Sequence, residues 1–432
     1  MIEFNFINHS SFSIKKGDTI LTVDPWIDGC VFNNSWKLLT KTPKDMINIV
    51  KRSSHVWFSH EHPDHFNPPN LNIFNNNTNF IFQKTKDKRV IKFLKRISKN
   101  ITEAESGKSI NLTDNFSIQV FPFQDLDSFC LITVNGIKIL NINDCDIKNI
   151  NELEEIKKKV GHIDVLFAQF SYAIGKSNPD EVYQRKSLSE DILNNLSETI
   201  NFFKPSFFIP FASFCYFSHN ENFYLNDSIN KINRVINFLS QHCPHTKSLV
   251  FYPGDKWNFS ESIDNSNAIE KYLNDYKRIS PDNYIIEKKN LTELTEVASS
   301  FINRTKNNNN MFFLYNLINS RFYNIIFEII DLKINLKFDF NSGLTKIENL
   351  KLSDPICVLS SDSLFQLFNS GYGYDALMIG GRFQVNKFGH RSLNKIFKFQ
   401  TKNYQNQFYN IQNIFQKLIN KLSKSSRVNP IR

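Results

Sequence analysis

The 432-residue sequence holds few of the residues that break a chain or staple it. It has 13 Gly and 14 Pro, too few for a collagen-like or low-complexity protein. Its six cysteines (Cys30, Cys130, Cys145, Cys215, Cys243 and Cys357) lie far apart with no CxxC pair. In a chain this long, that reads as free thiols in a reducing cytoplasm, not as a disulfide framework. No window offers 18 consecutive apolar residues, so a membrane-spanning helix is not expected. The opening MIEFNFINHSSFSIKKG lacks both a basic start and an unbroken apolar stretch, so it does not read as a signal peptide. After Asp375 acidic residues are missing altogether, while eleven Lys and Arg follow. They account for the whole net charge of +10 and leave the rest of the chain close to neutral. A solvated basic end explains them, and no aromatic–basic module for nucleic acid accompanies them. Nothing in the pattern specifies an oligomeric state.

What is present is enough to fold. Hydrophobic residues make up 41% and charged residues 22%, so the chain can bury a sizeable core. With 42 Phe, aromatic bulk is so common that it cannot by itself mark a ligand site. IEFNFI, SSFSIKK and TILTVDP read as three strands within residues 2–24. A helix is expected at 43–52, then a short strand HVWF at 55–58 that runs into the loop SHEHPDHFNPPN. Strand and helix signals then alternate. Helices are expected near 86–99, 151–160, 187–204 and 228–241, and buried strands at VLFAQF, SFFIPF and LVFYP. Leu188, Ile192, Leu196 and Ile200 supply the apolar face of the third of these helices. This predicts an α+β domain over residues 1–260. A linker or helical stretch follows at 261–300, and a smaller α/β domain at 301–400. A basic amphipathic helix and tail at 401–432 are expected from Phe408, Ile411, Phe415, Leu418 and Leu422.

The sharpest chemical signal is His60-Glu61-His62-Pro63-Asp64-His65. Three imidazoles and a carboxylate lie within six residues, directly after an apolar strand. Neutral imidazole nitrogens and carboxylate oxygens are ligands for zinc and other divalent metals. Without a metal, three such rings would need many hydrogen-bond partners and would repel one another when protonated. His55, His162, His242 and His245 lack ligand spacing and read as structural. Tyr216, Asn222, Tyr224, Trp26 and Trp36 read first as packing residues.

The HxHxDH segment resembles the metal-binding signature of the metallo-β-lactamase superfamily. The resemblance implies a four-layer αββα sandwich for residues 1–260. It implies His60, His62, Asp64 and His65 as metal ligands and Asp24, in TVDPW, as structural support for the metal loop. Asp144 in KILNINDCD matches the acidic residue that bridges two metals, and His219 in FCYFSHNENF matches the last ligand histidine. Asp64 and His219 would then be catalytic as well as metal-binding. A finer similarity, through His9 in NHSSFSI, VDPWIDG and LDSFCLITVNGIKILNINDC, is to one branch of that superfamily. It holds the ascorbate-6-phosphate lactonase-like proteins and the C-terminal region of CMP-N-acetylneuraminate hydroxylase. The CxH…CxxH pair of that hydroxylase's iron–sulfur Rieske domain does not occur in this sequence. One departure stands out. The superfamily supplies a further His between the HxHxDH loop and the bridging Asp, whereas this chain has no His between Phe66 and Asn143. Gln124, Asp125 and Asp127 are the nearby replacements, and a carboxylate there would suit Mn or Fe better than a His-rich site does. His9, Asp125 and Asp127 are accordingly further metal or substrate candidates.

These ligands imply a metallo-hydrolase that holds one or two Zn ions, with Mn or Fe as alternatives. Its water would act on an ester, lactone, amide or phosphodiester of a small molecule, such as a sugar derivative, a sugar nucleotide or an apolar ligand. Two other readings remain: a non-haem iron hydroxylase-like enzyme acting on an amino sugar, or a lipid- or partner-binding protein with a vestigial site. The glycine pattern of residues 355–397 (Gly371, Gly373, Gly380, Gly381, Gly389) resembles the sterol carrier protein-like fold. It does not form a GxGxxG turn after a strand, so no nucleotide site is read there.

Overall fold

The computed structural model describes residues 2–408, apart from 99, 125, 174, 176–177, 261–262, 283, 285–286, 310–323 and 406. The chain divides into two compact units: residues 1–173 with 181–282, and residues 174–180 with 283–432. Among the described residues no helix is long and apolar enough to cross a membrane.

The first unit is built on two seven-stranded sheets. In spatial order, the first sheet runs Lys256–Trp257, Ile2–Asn8, Ser11–Lys16, Thr19–Val23, His55–Phe58, Asn79–Gln83 and Ile101–Ala104. From Thr19–Val23 onward its strands are parallel. The second sheet runs Lys247–Ser248, Phe207–Phe211, Val165–Gln169, Ile137–Asn141, Asp127–Val134, Phe116–Phe123 and Ser109–Thr113. Its first four strands are parallel and the rest antiparallel.

The side-chain period of two explains the layering. Phe4, Phe6, Phe12, Ile14, Leu21, Val23, Trp57 and Ile81 point from the first sheet into the central core. Their neighbours Val56, Phe58, Phe80 and Phe82 point the other way, onto helix Arg89–Ile97. Ile7 and Ile20 meet Met46, Ile49 and Val50 of helix Lys44–Lys51. Across the core, Phe12 stacks on Phe167 of the second sheet with ring centroids 4.6 Å apart. Burying one such ring contributes about 1.5–3 kcal/mol. Helices Ile150–Val160, Val182–Phe203 and Ile232–His242 contribute to the same core. Two sheets with helices on their outer faces form the αββα sandwich that the resemblance implied.

Local chemistry sets the helix ends. The Asn149 side chain accepts the Glu152 N–H, three lysines occupy the last turn of Ile150–Val160, and Gly161 ends it with φ 71°. In Val182–Phe203 the buried stripe is Leu193, Leu196, Ile200 and Phe203. Leu188 is exposed and Ile192 only half-buried. The expected spacing of four drifts around a helix of 3.6 residues per turn, and this drift carries both off the core face. The expected strand LVFYP is also corrected. The paired strand is Lys247–Ser248, after which only the Leu249 N–H still reaches the Phe208 carbonyl, at 2.8 Å.

The stretch 261–300 is divided between the units. Helix Ser266–Arg278 places Ala268, Tyr272 and Tyr276 in the first unit's core. Helix Leu291–Asn308, opened by an Asn290–Glu293 capping box, contributes Leu294, Ala298 and Phe301 to the second. The second unit holds a five-stranded sheet in the order Gly343–Ile347, Ile334–Asp339, Asn324–Ile329, Ile356–Leu359 and Gln384–Val385. Helices Ser361–Asn369, Gly373–Gly380 and Lys387–Tyr404 complete this α/β unit. A side chain at Gly389 would collide with the Ile356 carbonyl, so this position requires glycine for close approach. The amphipathic stretch expected from Phe408 to Leu422 lies, beyond Phe408, outside the described residues.

Candidate metal centre

Parallel strands bring their C-terminal ends to one edge of a sheet, where loops are free to hold ligands. Thr19–Val23 ends at Asp24, and His55–Phe58 leads into Ser59–His65. Ile137–Asn141 leads to Asp144, and Phe207–Phe211 to Ala212. Several of these strand-end residues hold unusual backbone. His9 (φ 36°), Asp24 (φ 39°), Asn143 (φ 47°) and Ala212 (φ 47°) all lie in the left-handed region. Each costs roughly 1–2 kcal/mol of strain, which the surrounding structure must offset.

Two groups of metal-capable side chains meet here. His60, His62 and Asp144 form one, and His9, Asp64 and His65 the other, with the ligand atoms of each group within 4.8 Å of one another. His60 Nε2 lies 2.9 Å from His62 Nδ1 and 3.7 Å from Asp144 Oδ2. Asp64 Oδ2 lies 3.5 Å from His9 Nε2 and 3.4 Å from His65 Nε2. Asp144 Oδ2 lies 3.5 Å from His65 Nε2, so this carboxylate reaches both groups.

Asp24 braces the centre from below without joining it. It is fully buried and accepts from the Ser59 N–H at 2.7 Å, the Ser59 hydroxyl at 2.6 Å and Asn143 Nδ2 at 2.9 Å. Its Oδ2 also lies 2.9 Å from His65 Nδ1. The Ser59 hydroxyl lies 2.9 Å from His60 Nδ1. Two rings of these groups are thus oriented by polar neighbours, an arrangement that metal-bound histidines usually have.

The donor set fits a divalent cation. Both ring nitrogens of His9, His65 Nε2, Asp64 Oδ1 and Asp144 Oδ1 are buried with no hydrogen-bond partner among the described residues. A buried polar atom left unpaired costs about 1–3 kcal/mol, more if charged. Across the two adjoining groups, His65 Nε2, Asp64 Oδ1, Asp144 Oδ1 and one nitrogen of His9 are open to cations, which would satisfy them. The electrostatics agree. Burial opposes charge on Asp64, yet His65 and His9 hold its carboxyl well below the usual range. Burial likewise opposes charge on His65, but Asp144, Asp64 and Asp24 outweigh it and raise its pKa well above the ordinary value. Burial lowers the pKa of His9, and burial with His60 nearby pushes His62 down to about 3. Burial raises the thiols Cys145 and Cys215, which removes them as ready thiolates.

The sequence-derived candidates fall differently around this centre. His60, His62, Asp64, His65 and Asp144 come together, and His9 joins them. His9 directly follows strand Ile2–Asn8, and its carbonyl accepts the Ala212 N–H at 3.0 Å, which pins it beside the end of Phe207–Phe211. Neither group contains His219. Its Nδ1 accepts the Glu221 N–H at 3.1 Å, its own N–H donates to Asn222 Oδ1 at 3.0 Å, and its backbone bridges Asp282. Asp125 lies outside the described residues. Asp127 belongs to neither group but stands close by. Extending the Cys130–Asn141 register puts it opposite Asp144. Burial, with Asp144 and Asp146 nearby, raises its pKa to about 6. Its neighbour Ser128 donates to the Ser59 carbonyl. Ser59 and Asn143 were not singled out from sequence. A small hydroxyl directly before the first ligand histidine was the available signal.

No family model matches the chain. Over 286 residues, 61% of this chain and 47% of the relative, it is 22% identical to cytidine monophosphate-N-acetylneuraminic acid hydroxylase of Danio rerio. It is 24% identical over 289 residues to the protein of that name in Asterias rubens, with 61% and 42% covered. The chain therefore spans less than half the length of these relatives. Among solved structures it is similar to Igni18, a metallo hydrolase from Ignicoccus hospitalis, at 16% identity and a TM-score of 0.42, covering 60% of this chain and 99% of that one.

Proposed function

We propose that the first unit is a metal-dependent hydrolase that acts on an ester, lactone, amide or phosphodiester of a small polar molecule, such as a sugar derivative. The observation that carries this reading is the convergence of two His/Asp groups, in which His65 Nε2, Asp64 Oδ1, Asp144 Oδ1 and the His9 ring nitrogens are buried without a hydrogen-bond partner among the described residues. His60, His62 and Asp144 would hold one divalent ion and His9, Asp64 and His65 a second, with Asp144 reaching both. A bound divalent ion supplies Lewis acidity and brings a water's pKa from about 16 towards 7. The chain's own residues do the rest. Asp24 and Ser59 fix the ring orientations of His65 and His60. Asp64 orients the attacking water. Asp127, a carboxylate close to both groups, accepts its proton. The donors are nitrogen and oxygen with no thiolate, a set that Zn, Mn and Fe share.

A second reading is favoured by the similarity to hydroxylases: an oxygen-activating iron enzyme of the hydroxylase type that draws electrons from an external donor. The mixed imidazole and carboxylate donors of the two groups are compatible with iron, the metal that this chemistry needs. Metal analysis of the purified protein tests both readings. About two Zn or Mn per chain, with turnover of a lactone, amide or phosphodiester that is lost in His62→Ala, supports the hydrolase. About two Fe with substrate-dependent oxygen consumption replaces it by the second reading. Much less than one metal per chain refutes both.

A further inference from the structure

His60 and His65 are each oriented by a polar neighbour, Ser59 and Asp24 respectively. His9 is not. Neither of its ring nitrogens has a hydrogen-bond partner among the described residues, and Asp64, 3.5 Å away, belongs to the same metal group. A ligand ring without an outer hydrogen bond must be oriented by packing. Trp26 supplies that contact: it is fully buried and meets the His9 ring edge-on, with centroids 5.3 Å apart and planes at 79°.

The same segment reaches the other group. Strands Cys30–Val31 and Trp36–Leu38 pair through a tight loop in which Phe32, Asn33 and Asn34 take φ values of 51°, 55° and 61°. The Ser35 N–H donates back to the Val31 carbonyl at 3.0 Å, which closes a left-handed turn. Three successive non-glycine residues in this region are rare, and a phenylalanine is the worst suited of them. Strain of this kind persists where a site needs it. Here it delivers the Phe32 ring to the His62 ring, edge-on at 5.9 Å and 65°, backed by Trp36 at 4.8 Å.

We propose that Trp26 and Phe32 are positioning residues of the metal centre, each serving a different group: Trp26 orients His9 in the second group, and Phe32 orients His62 in the first. This rests on the metal-centre reading above. Asp24, Trp26 and Phe32 then form one continuous outer brace, each touching a different ligand ring.

The test is titration of the metal-stripped full-length protein with Co2+, read by calorimetry and by the visible absorption of the bound ion. His62→Ala and His9→Ala give the signatures of a damaged first and second group. Phe32→Leu is expected to weaken one metal equivalent at least tenfold, the scale of lost outer-sphere support, and to reproduce the His62→Ala spectrum. Trp26→Leu is expected to do the same to the other equivalent and to reproduce the His9→Ala spectrum. Phe32→Tyr and Trp26→Phe, which keep an aromatic edge and serve if the leucine variants do not fold, should restore near-wild-type loading. The proposal is overturned if the leucine variants load both equivalents as the wild type does. It is also overturned if both equivalents weaken together in each variant, as general loosening would produce. A wild type that takes up no Co2+ would instead refute the metal-centre reading itself.

Discussion

Replacing Asp24 by asparagine probes the centre without touching a metal-group residue. The substitution keeps shape and burial but removes the charge and turns one acceptor into a donor. Oδ2 faces three donors (Ser59 Oγ, His65 Nδ1 and Asn143 Nδ2), whereas Oδ1 faces only the Ser59 N–H. The amide will therefore keep its oxygen at the Oδ2 position and turn its NH2 against the Ser59 N–H. A buried backbone donor then loses its partner, at about 1–3 kcal/mol, and the charge-assisted bond to His65 becomes a neutral one, at about 1–2 kcal/mol more. The metal-free variant should be about 2–5 kcal/mol less stable than the wild type, and metal affinity should fall about 10- to 100-fold as His65 and Ser59 lose orientation. Urea unfolding at pH 6 measures the first quantity and metal titration the second. Asp24→Asn with a stability loss under about 1 kcal/mol and unchanged metal affinity would show that the brace is not what sets the site.

Other outcomes follow from the same geometry. His9→Ala should remove one metal equivalent while leaving the fold intact, as read by elemental analysis and circular dichroism; two retained equivalents would place His9 outside the centre. Ala212→Gly relieves a left-handed alanine and should raise stability by up to about 1 kcal/mol in thermal unfolding, and a clear loss would mean that this backbone is not strained. His62 stays neutral in the metal-free fold down to about pH 3, because burial and His60 disfavour its charge. Its unfolded pKa lies near 6.5, so the unfolded state binds a proton that the folded state refuses, and folding is penalised as pH falls below 6.5. Metal-free His62→Gln should therefore gain stability relative to the wild type between pH 6.5 and 4, and parallel pH profiles would contradict this.

The sequence made some of this centre legible and hid the rest, for physical reasons. The HxHxDH run is local: four chemically distinctive side chains on one loop need no knowledge of the fold. The first strands were equally plain, because their alternation records two faces, one towards Phe167 and one towards helix Lys44–Lys51. His9 stood out little because its role depends on where Phe207–Phe211 ends in space, and no local pattern reports that. His219 drew attention through its position after a buried strand, yet its ring nitrogen serves the Glu221 N–H. The apolar repeat at Leu188 and Ile192 misled because a spacing of four reads as one face in a list but rotates off it on a real helix. Trp26 reads from sequence as a packing residue and Phe32 carries no signal of its own; both are buried. Only their edge-on contacts with imidazoles separate them from the other aromatic rings.

The hydrogen bond from Ala212 to the His9 carbonyl also orders events in time. Ala212, whose N–H holds the His9 carbonyl, is synthesised long after His9 itself. Until Phe207–Phe211 has joined the second sheet, His9 lacks this backbone anchor, however complete the HxHxDH loop is. A nascent chain could thus grip an ion through His60 and His62 long before the His9 pocket closes. Capture of the second ion would then mark the moment at which both sheets have met.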